Sequence, residues 1–193
     1  KEIYINQVAN YVHGDLHGKI ITYNNNGMKS FEGHYINGKK HGLFINYHYN
    51  IEEEKISSIQ EYDMGIRVGE YITYNRGGVK TIMHSYGDNG LKNGMAVEYF
   101  NNASSSPCGW EGDINNWEDY KNWISKGEYI KGERHGEWVT HTLPNMVLSS
   151  IVVYENGNEV SSTSYYPNGI ISAEYKDDDQ VKLYYDNGNI RMD

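Results

Sequence analysis

The chain is poor in the residues that staple or stiffen a fold. One cysteine, Cys108, in 193 residues excludes an intramolecular disulfide framework and a cysteine-based zinc site. There are three prolines, and no run approaches the roughly 18 apolar residues of a transmembrane helix. Phe and Trp together supply seven residues, and the mean hydropathy of -0.75 is thin for a large three-dimensional core. Cations are the minority, with 17 Lys and Arg against 26 Asp and Glu and a net charge of -9. Nucleic-acid binding leans on phosphate neutralisation by Lys and Arg, so this balance argues against DNA, RNA and anionic membrane surfaces. It suits a basic protein partner, and it equally serves plain solubility. No signal peptide is visible. The chain starts at Lys1 rather than Met, which leaves the compartment open between cytoplasm, envelope and exterior.

What is abundant is glycine, with 21 residues, and tyrosine, with 19. Tyrosine and β-branched residues favour strands, and glycine favours turns. The two are arranged in a register. Paired glycines four apart fall at Gly14/Gly18, Gly38/Gly42, Gly65/Gly69, Gly90/Gly94 and Gly132/Gly136, and a sixth unit keeps Gly157 but carries Ser161. A tyrosine precedes the first glycine by three residues at Tyr11, Tyr35, Tyr62, Tyr129 and Tyr154; in the fourth unit Tyr86 sits one residue further back. Five residues after the second mark come Tyr23, Tyr47, Tyr74, Tyr99, His141 and Tyr166. The first glycines are spaced 24, 27, 25, 42 and 25 residues apart, and a shortened seventh unit runs from Tyr175 to Gly188. Self-similarity at such a period is the signature of a repeat architecture.

Each unit reads as strand, glycine turn, strand, second turn. The second turn is Asn-Gly chemistry at Asn26-Gly27, Asn168-Gly169 and Asn187-Gly188, with Gly77-Gly78 in the third unit. The expected fold is all-β: an elongated antiparallel meander of about seven stacked hairpins, about 65 Å long at two strands per unit, forming one repeat domain over 1–193. Alternation puts Ile21/Tyr23, Ile45/Tyr47, Ile72/Tyr74 and Val97/Tyr99 on one face, which reads as core. The other face, with Ile20, Phe44, Tyr71, Ala96 and Trp138, reads as half-wet.

Two stretches break the rule. Ile51-Glu52-Glu53-Glu54-Lys55 replaces an Asn-Gly turn and reads as a longer acidic hairpin loop. The 42-residue spacing hides an insertion over 101–122, a loop or short helix. There Asp113 is placed to cap a helix with Trp117, Tyr120 and Ile124 on one stripe. Three of the four tryptophans lie in or at the end of this segment.

The recurring Tyr-x-x-Gly-x-x-His-Gly-x-φ-x-x-Tyr, with φ an apolar residue, followed by Asn-Gly, resembles MORN-variant repeats, the longer bacterial relatives of the membrane occupation and recognition nexus repeat. These occur in YwqK-type antitoxin proteins. The His-Gly step is present at His17-Gly18, His41-Gly42 and His135-Gly136, and replaced at Val68-Gly69, Asn93-Gly94 and Val160-Ser161. The resemblance covers about residues 11–100 and 127–190. It implies stacked β-hairpins, no catalytic residues, no cofactor, and a role in protein–protein interaction, with family members often labelled antitoxin or immunity components.

Other chemistry is thin. Three of the eight histidines share one repeat position, and equivalent positions in a linear array lie roughly 10 Å apart, too far to share a metal ion. Asp177-Asp178-Asp179 lacks the spacing of a calcium loop. There is no nucleophile elbow and no phosphate loop. The expected binding site is therefore the insertion. There Trp110, Trp117, Tyr120 and Trp123 offer aromatic anchors, and Asp113, Glu118 and Asp119 form an acidic rim for a basic toxin or nuclease cleft. The competing reading has these tryptophans capping the sheet. The leading expectation is an immunity-like binding module. A structural or envelope scaffold joining through its terminal strands comes next, and a glycan-binding module or an enzyme comes after that. Partner identity and oligomeric state are left open.

Overall fold

A computed structural model describes residues 5–49, 53–99, 123–142, 145–176 and 180–192, and none of these lies in a helix. Sixteen strands follow one another as an antiparallel meander in chain order. The chain divides into two compact units, Lys1–Lys92 and Asn93–Asp193. The first holds β1 (Gln7–Val12), β2 (Asp15–Tyr23), β3 (Lys29–Ile36), β4 (Lys39–Lys40), β5 (Gly42–Tyr47), β6 (Ile56–Asp63), β7 (Ile66–Tyr74) and β8 (Lys80–Tyr86). In the second are β9 (Lys92–Tyr99), which starts at the boundary, β10 (Trp123–Ile130), β11 (Glu133–Thr142), β12 (Val147–Glu155), β13 (Asn158–Tyr165), β14 (Ile171–Lys176), β15 (Gln180–Tyr184) and β16 (Ile190–Met192). The two-residue β4 stands off the main path and pairs only with β3.

The two glycines of each pair do different work. The first closes a two-residue hairpin turn in which both central residues have positive φ: His13-Gly14, Asn37-Gly38, Met64-Gly65, Lys131-Gly132 and Asn156-Gly157. Such turns match the right-handed twist of the flanking strands. The second glycine, also at positive φ, sits in a bulge. Opposite it, Ala9 to Tyr11 on β1 face Ile20 to Leu16 on β2, and Lys126 to Glu128 on β10 face Val139 to His135 on β11. The bulged strand thus carries two extra residues. Two is one full period of side-chain alternation, so every side chain keeps its face through the irregularity. Where Ser161 replaces the glycine, Val153 to Tyr154 face Ser161 to Glu159 and the excess falls to one.

The fourth unit departs from the expected pairing. Gly87 N–H donates to Leu91 O and Gly90 N–H donates to Gly87 O. The same two bonds close the loops at Asn24–Met28, Asn75–Val79, Tyr166–Ile170 and Tyr185–Asn189. In these three-residue loops only the last glycine has positive φ, as in a type I turn followed by a left-handed residue. Asn89-Gly90 is therefore a loop of the second kind, which explains why Tyr86 sits one residue out of register. The Asn-Gly turns at Asn26, Asn168 and Asn187 likewise use glycine alone at positive φ, not both residues. At the acidic turn, the Glu54 carboxylate accepts the Lys29 backbone N–H at 3.0 Å, and residues 50–52 lie outside the described part.

Burial is shared by the two faces, contrary to the core-and-wet division drawn from alternation. Ile20, Phe44, Ala96 and Trp138, together with Gln60, are buried on the first face, the one expected to be half-wet. Met83 and Val97 are buried on the second. The reason is backbone, not hydrophobicity. Phe44, 3% exposed, lies across Gly33 of the strand beside it, and Trp138, 7% exposed, lies across Gly127. A Cβ on Gly33 would stand 2.6 Å from the Phe44 ring, and one on Gly127 would stand 2.2 Å from the indole. Missing side chains on one strand make the bed for a ring from the next. The row Ile21, Ile45, Ile59 and Ile72 does form across the second face of the first unit, half-buried.

Candidate partner-binding surfaces

The residues expected to bind a partner fall mostly outside the described part of the chain: Trp110, Asp113, Trp117, Glu118, Asp119 and Tyr120. Trp123 is placed by its backbone. It opens β10, directly opposite Tyr99 at the end of β9, so the chain leaves for the insertion and returns from it on paired neighbouring strands. Ile124, expected on a helical stripe with Trp117 and Tyr120, is in β10 instead. There it is the extra residue of a register shift, between Trp123 opposite Tyr99 and Ser125 opposite Glu98. Cys108 and Asp177-Asp178-Asp179 also lie outside the described residues.

Within the repeats the tyrosines three before the first glycine gather on the first face. Tyr35 and Tyr62 pack edge-on to Phe44 at 5.4 and 5.0 Å between ring centroids, and Tyr129 packs edge-on to Trp138 at 5.1 Å. Directly across from these tyrosines stands a position that sequence reasoning passed over, two residues before the second glycine. Lys40 is the cross-strand partner of Tyr35, Arg67 of Tyr62 and Arg134 of Tyr129. The Lys40 ammonium lies 4.7 Å from the Tyr62 ring and 5.0 Å from Phe44. Arg134 stacks 4.4 Å from Trp138 and 5.3 Å from Tyr154, and its Nη1 donates to the Tyr154 hydroxyl at 3.0 Å. Arg67 lies over Tyr86 at 5.9 Å. Hydrogen bonding to the Tyr62 hydroxyl, ahead of the counteracting burial, holds its guanidinium more firmly protonated than usual. For Arg134 burial pulls the other way, and bonds with Tyr129 and Tyr154 outweigh it. The sequence signal was available: the same slot reads Leu16, Lys40, Arg67, Lys92, Arg134 and Glu159.

The second face carries a different motif. The Tyr47 hydroxyl donates to the Glu32 carboxylate, and the Tyr184 hydroxyl donates to Glu174. Both tyrosines stand two residues beyond the cross-strand partner of their glutamate, Ile45 for Glu32 and Lys182 for Glu174, so the pair is a repeat feature. The Tyr47 hydroxyl, then Lys19 at 2.9 Å, hold the Glu32 carboxyl below the usual carboxylate range. Burial first, then Glu32, pushes the Tyr47 hydroxyl well above the usual tyrosine range.

Two of the three repeat histidines stand against the turn of the next hairpin: His17 Nδ1 lies 3.2 Å from the Asn37 side-chain oxygen, and His41 Nδ1 lies 3.2 Å from the Asp63 carboxylate without making a hydrogen bond. Among the described residues no three His, Cys, Asp or Glu side chains converge as a metal site would require. Beside the Gly136 bulge an open hollow of about 530 Å³ lies on the second unit, lined by Met95, Lys126, Glu128, His135, Glu137 and Val139.

No family model and no curated protein matches this chain. Among solved structures, the chain is similar to the crystal structure of a mutant of S. aureus TarM in complex with fondaparinux, α-GlcNAc-glycerol and UDP, at 12% identity and a TM-score of 0.35. The match covers 66% of this chain and 21% of that one, a likeness too slight to bear on fold or function.

Proposed function

We propose that this chain is a non-enzymatic protein–protein interaction module of the MORN-variant, YwqK-type kind, and that it acts as an immunity or antitoxin protein by binding and neutralising a basic partner toxin. The observation that carries the reading is how little the repeats bury by themselves. Among the described residues six apolar side chains are buried, and the tyrosine and isoleucine rows stand half-open. A sheet of this kind gains stability from each surface that covers it, which is the thermodynamic position of a binding module. The acidic balance of the chain favours a basic partner, and the tryptophan-rich segment around Trp110, Trp117 and Trp123 supplies anchors of the type that dominate interface energetics.

The test is a pull-down from the native organism's lysate with the intact chain and with a form lacking residues 102–122, followed by co-expression of the captured protein with each form. One stoichiometric partner whose toxicity is relieved by the intact chain alone supports the reading and locates the site in the insertion. Capture without relief of any growth defect overturns the immunity assignment. The alternative is a structural or cell-envelope scaffold, and one observation favours it. The strand β1 and the residues before it present Ile5, Val8 and Tyr11 at 67%, 49% and 58% exposure, beside a backbone edge unpaired among the described residues. Such an edge is a template for joining another chain. Sedimentation showing oligomers at every concentration would select it.

A further inference from the structure

In the first unit the charges are sorted by face. Register and alternation put every described strand carboxylate on the second face: Asp15, Glu32, Glu61, Asp63 and Glu70. On the first face of the described strands over residues 7–86 the charged side chains are Lys40 and Arg67. In a chain with 26 carboxylates, neither cation has one within ion-pair distance among the described residues. Lys40 is held over the Tyr62 and Phe44 rings, and Arg67 over the Tyr86 ring beside the Tyr62 hydroxyl. Cation–ring contacts orient a charge without neutralising it, so a guanidinium or ammonium on a ring keeps its outward donors for an anion. Arg134 repeats the arrangement in the second unit. The same face adds polar atoms in a row, paired as Thr22 with Ser30, Asn46 with Ser58 and Thr73 with Thr81 at 2.9, 2.9 and 2.6 Å.

From this we infer that the first face of residues 7–86 is an anion-accepting surface that takes an acidic segment of a protein partner on Lys40 and Arg67. The inference rests on the reading of the chain as a protein-binding module, and it adds a surface distinct from the tryptophan segment. The net charge of -9 does not forbid it. The described strand carboxylates of this unit stand on the opposite face, and charges more than a Debye length away, about 8 Å at physiological salt, are largely screened. A ligand on the first face therefore meets the local cations before it meets the global charge.

Titration of the full chain with hexaglutamate, read by calorimetry in 50 and 300 mM salt, tests the surface. We expect binding that weakens at least tenfold at the higher salt, and at least tenfold in Lys40→Gln/Arg67→Gln. Lys40→Arg should retain it within about twofold. Lys19→Gln/Lys80→Gln removes the same charge from the second face and should leave binding unchanged. Equal losses in the two double variants, or no heat with hexaglutamate, overturn the inference. So does tighter binding to heparin or to anionic vesicles than to hexaglutamate, because the surface then serves another class of polyanion. Should the K40Q/R67Q protein melt early, amide chemical-shift changes of the intact chain decide the matter: shifts confined to the second face sink the proposal. If this surface fails while the lysate partner is still captured, the binding-module reading survives alone.

Discussion

At the residue scale the arrangement turns on a few atoms that are absent. Gly33→Ala and Gly127→Ala each drive a methyl into a ring that has no room to retreat, and we expect a loss of about 1–3 kcal/mol for either, measured by urea unfolding. Gly14→Ala meets no neighbour and costs only what positive φ costs a side chain, about 1 kcal/mol. Tyr47→Phe leaves the half-buried Glu32 carboxylate short of a donor and should cost about 1–3 kcal/mol at neutral pH. The same pair fixes an acid limb. Glu32 has its folded-state pKa depressed, so its contribution is present above the ordinary value of 4.5 and is lost as pH falls through the lower folded value. Unfolding followed between pH 6 and pH 3 should show a steeper decline in the native chain than in Y47F; parallel curves would assign the acid limb to other carboxylates.

At the scale of the hairpin, the sequence stated the rhythm more clearly than its cause. Paired glycines marked the first five units, yet they read as one signal where the structure has two, a twisted turn and a two-residue bulge. Tyr86, one position early, was the visible sign that Asn89-Gly90 belongs to the other loop class. The buried face was misjudged because alternation separates faces without ranking them. Gly33 and Gly127, opposite the large residues of the next strand, held the information, and a pattern search built on side chains passes over residues without one. The cation slot was missed for a related reason: Lys and Arg between glycines read as solubility until a tyrosine is known to stand across from them. Turn chemistry supplies a prediction here. Met64 and Lys131 occupy left-handed positions that asparagine tolerates better, so Met64→Asn should raise stability by up to about 1 kcal/mol and Met64→Val should lower it by more. Equal melting temperatures for the three proteins would refute the turn assignment.

At the scale of the whole chain, meander connectivity makes stability a local matter. Each strand bonds its chain neighbours, so a hairpin draws support from the hairpins beside it and little from those farther off. Amide exchange is the measurement suited to this. In Gly33→Ala, protection should fall most in β2 to β6 and least in β12 to β15; a uniform fall across the chain would show one cooperative unit instead of two. The expected site at Trp110 to Trp123 stands apart from this logic, which speaks only about residues that repeat.

The even count of the glycine bulges bears on how such a gene can change. Duplication or loss of a whole hairpin returns every neighbour to its original side of the sheet, so the coding sequence can lengthen or shorten in hairpin steps without a penalty in pairing. A one-codon insertion inside a strand has no such refuge. It exchanges inside for outside in everything up to the next turn, and only a bulge can absorb it. Such one-residue bulges recur at the far ends of the strands, at Lys29 to Phe31, Ile56 to Ser58, Lys80 to Ile82 and Leu148 to Ser150, as well as where Ser161 stands for glycine. Drift in length should therefore collect at the turns and the insertion, while strand lengths between bulges stay fixed in parity.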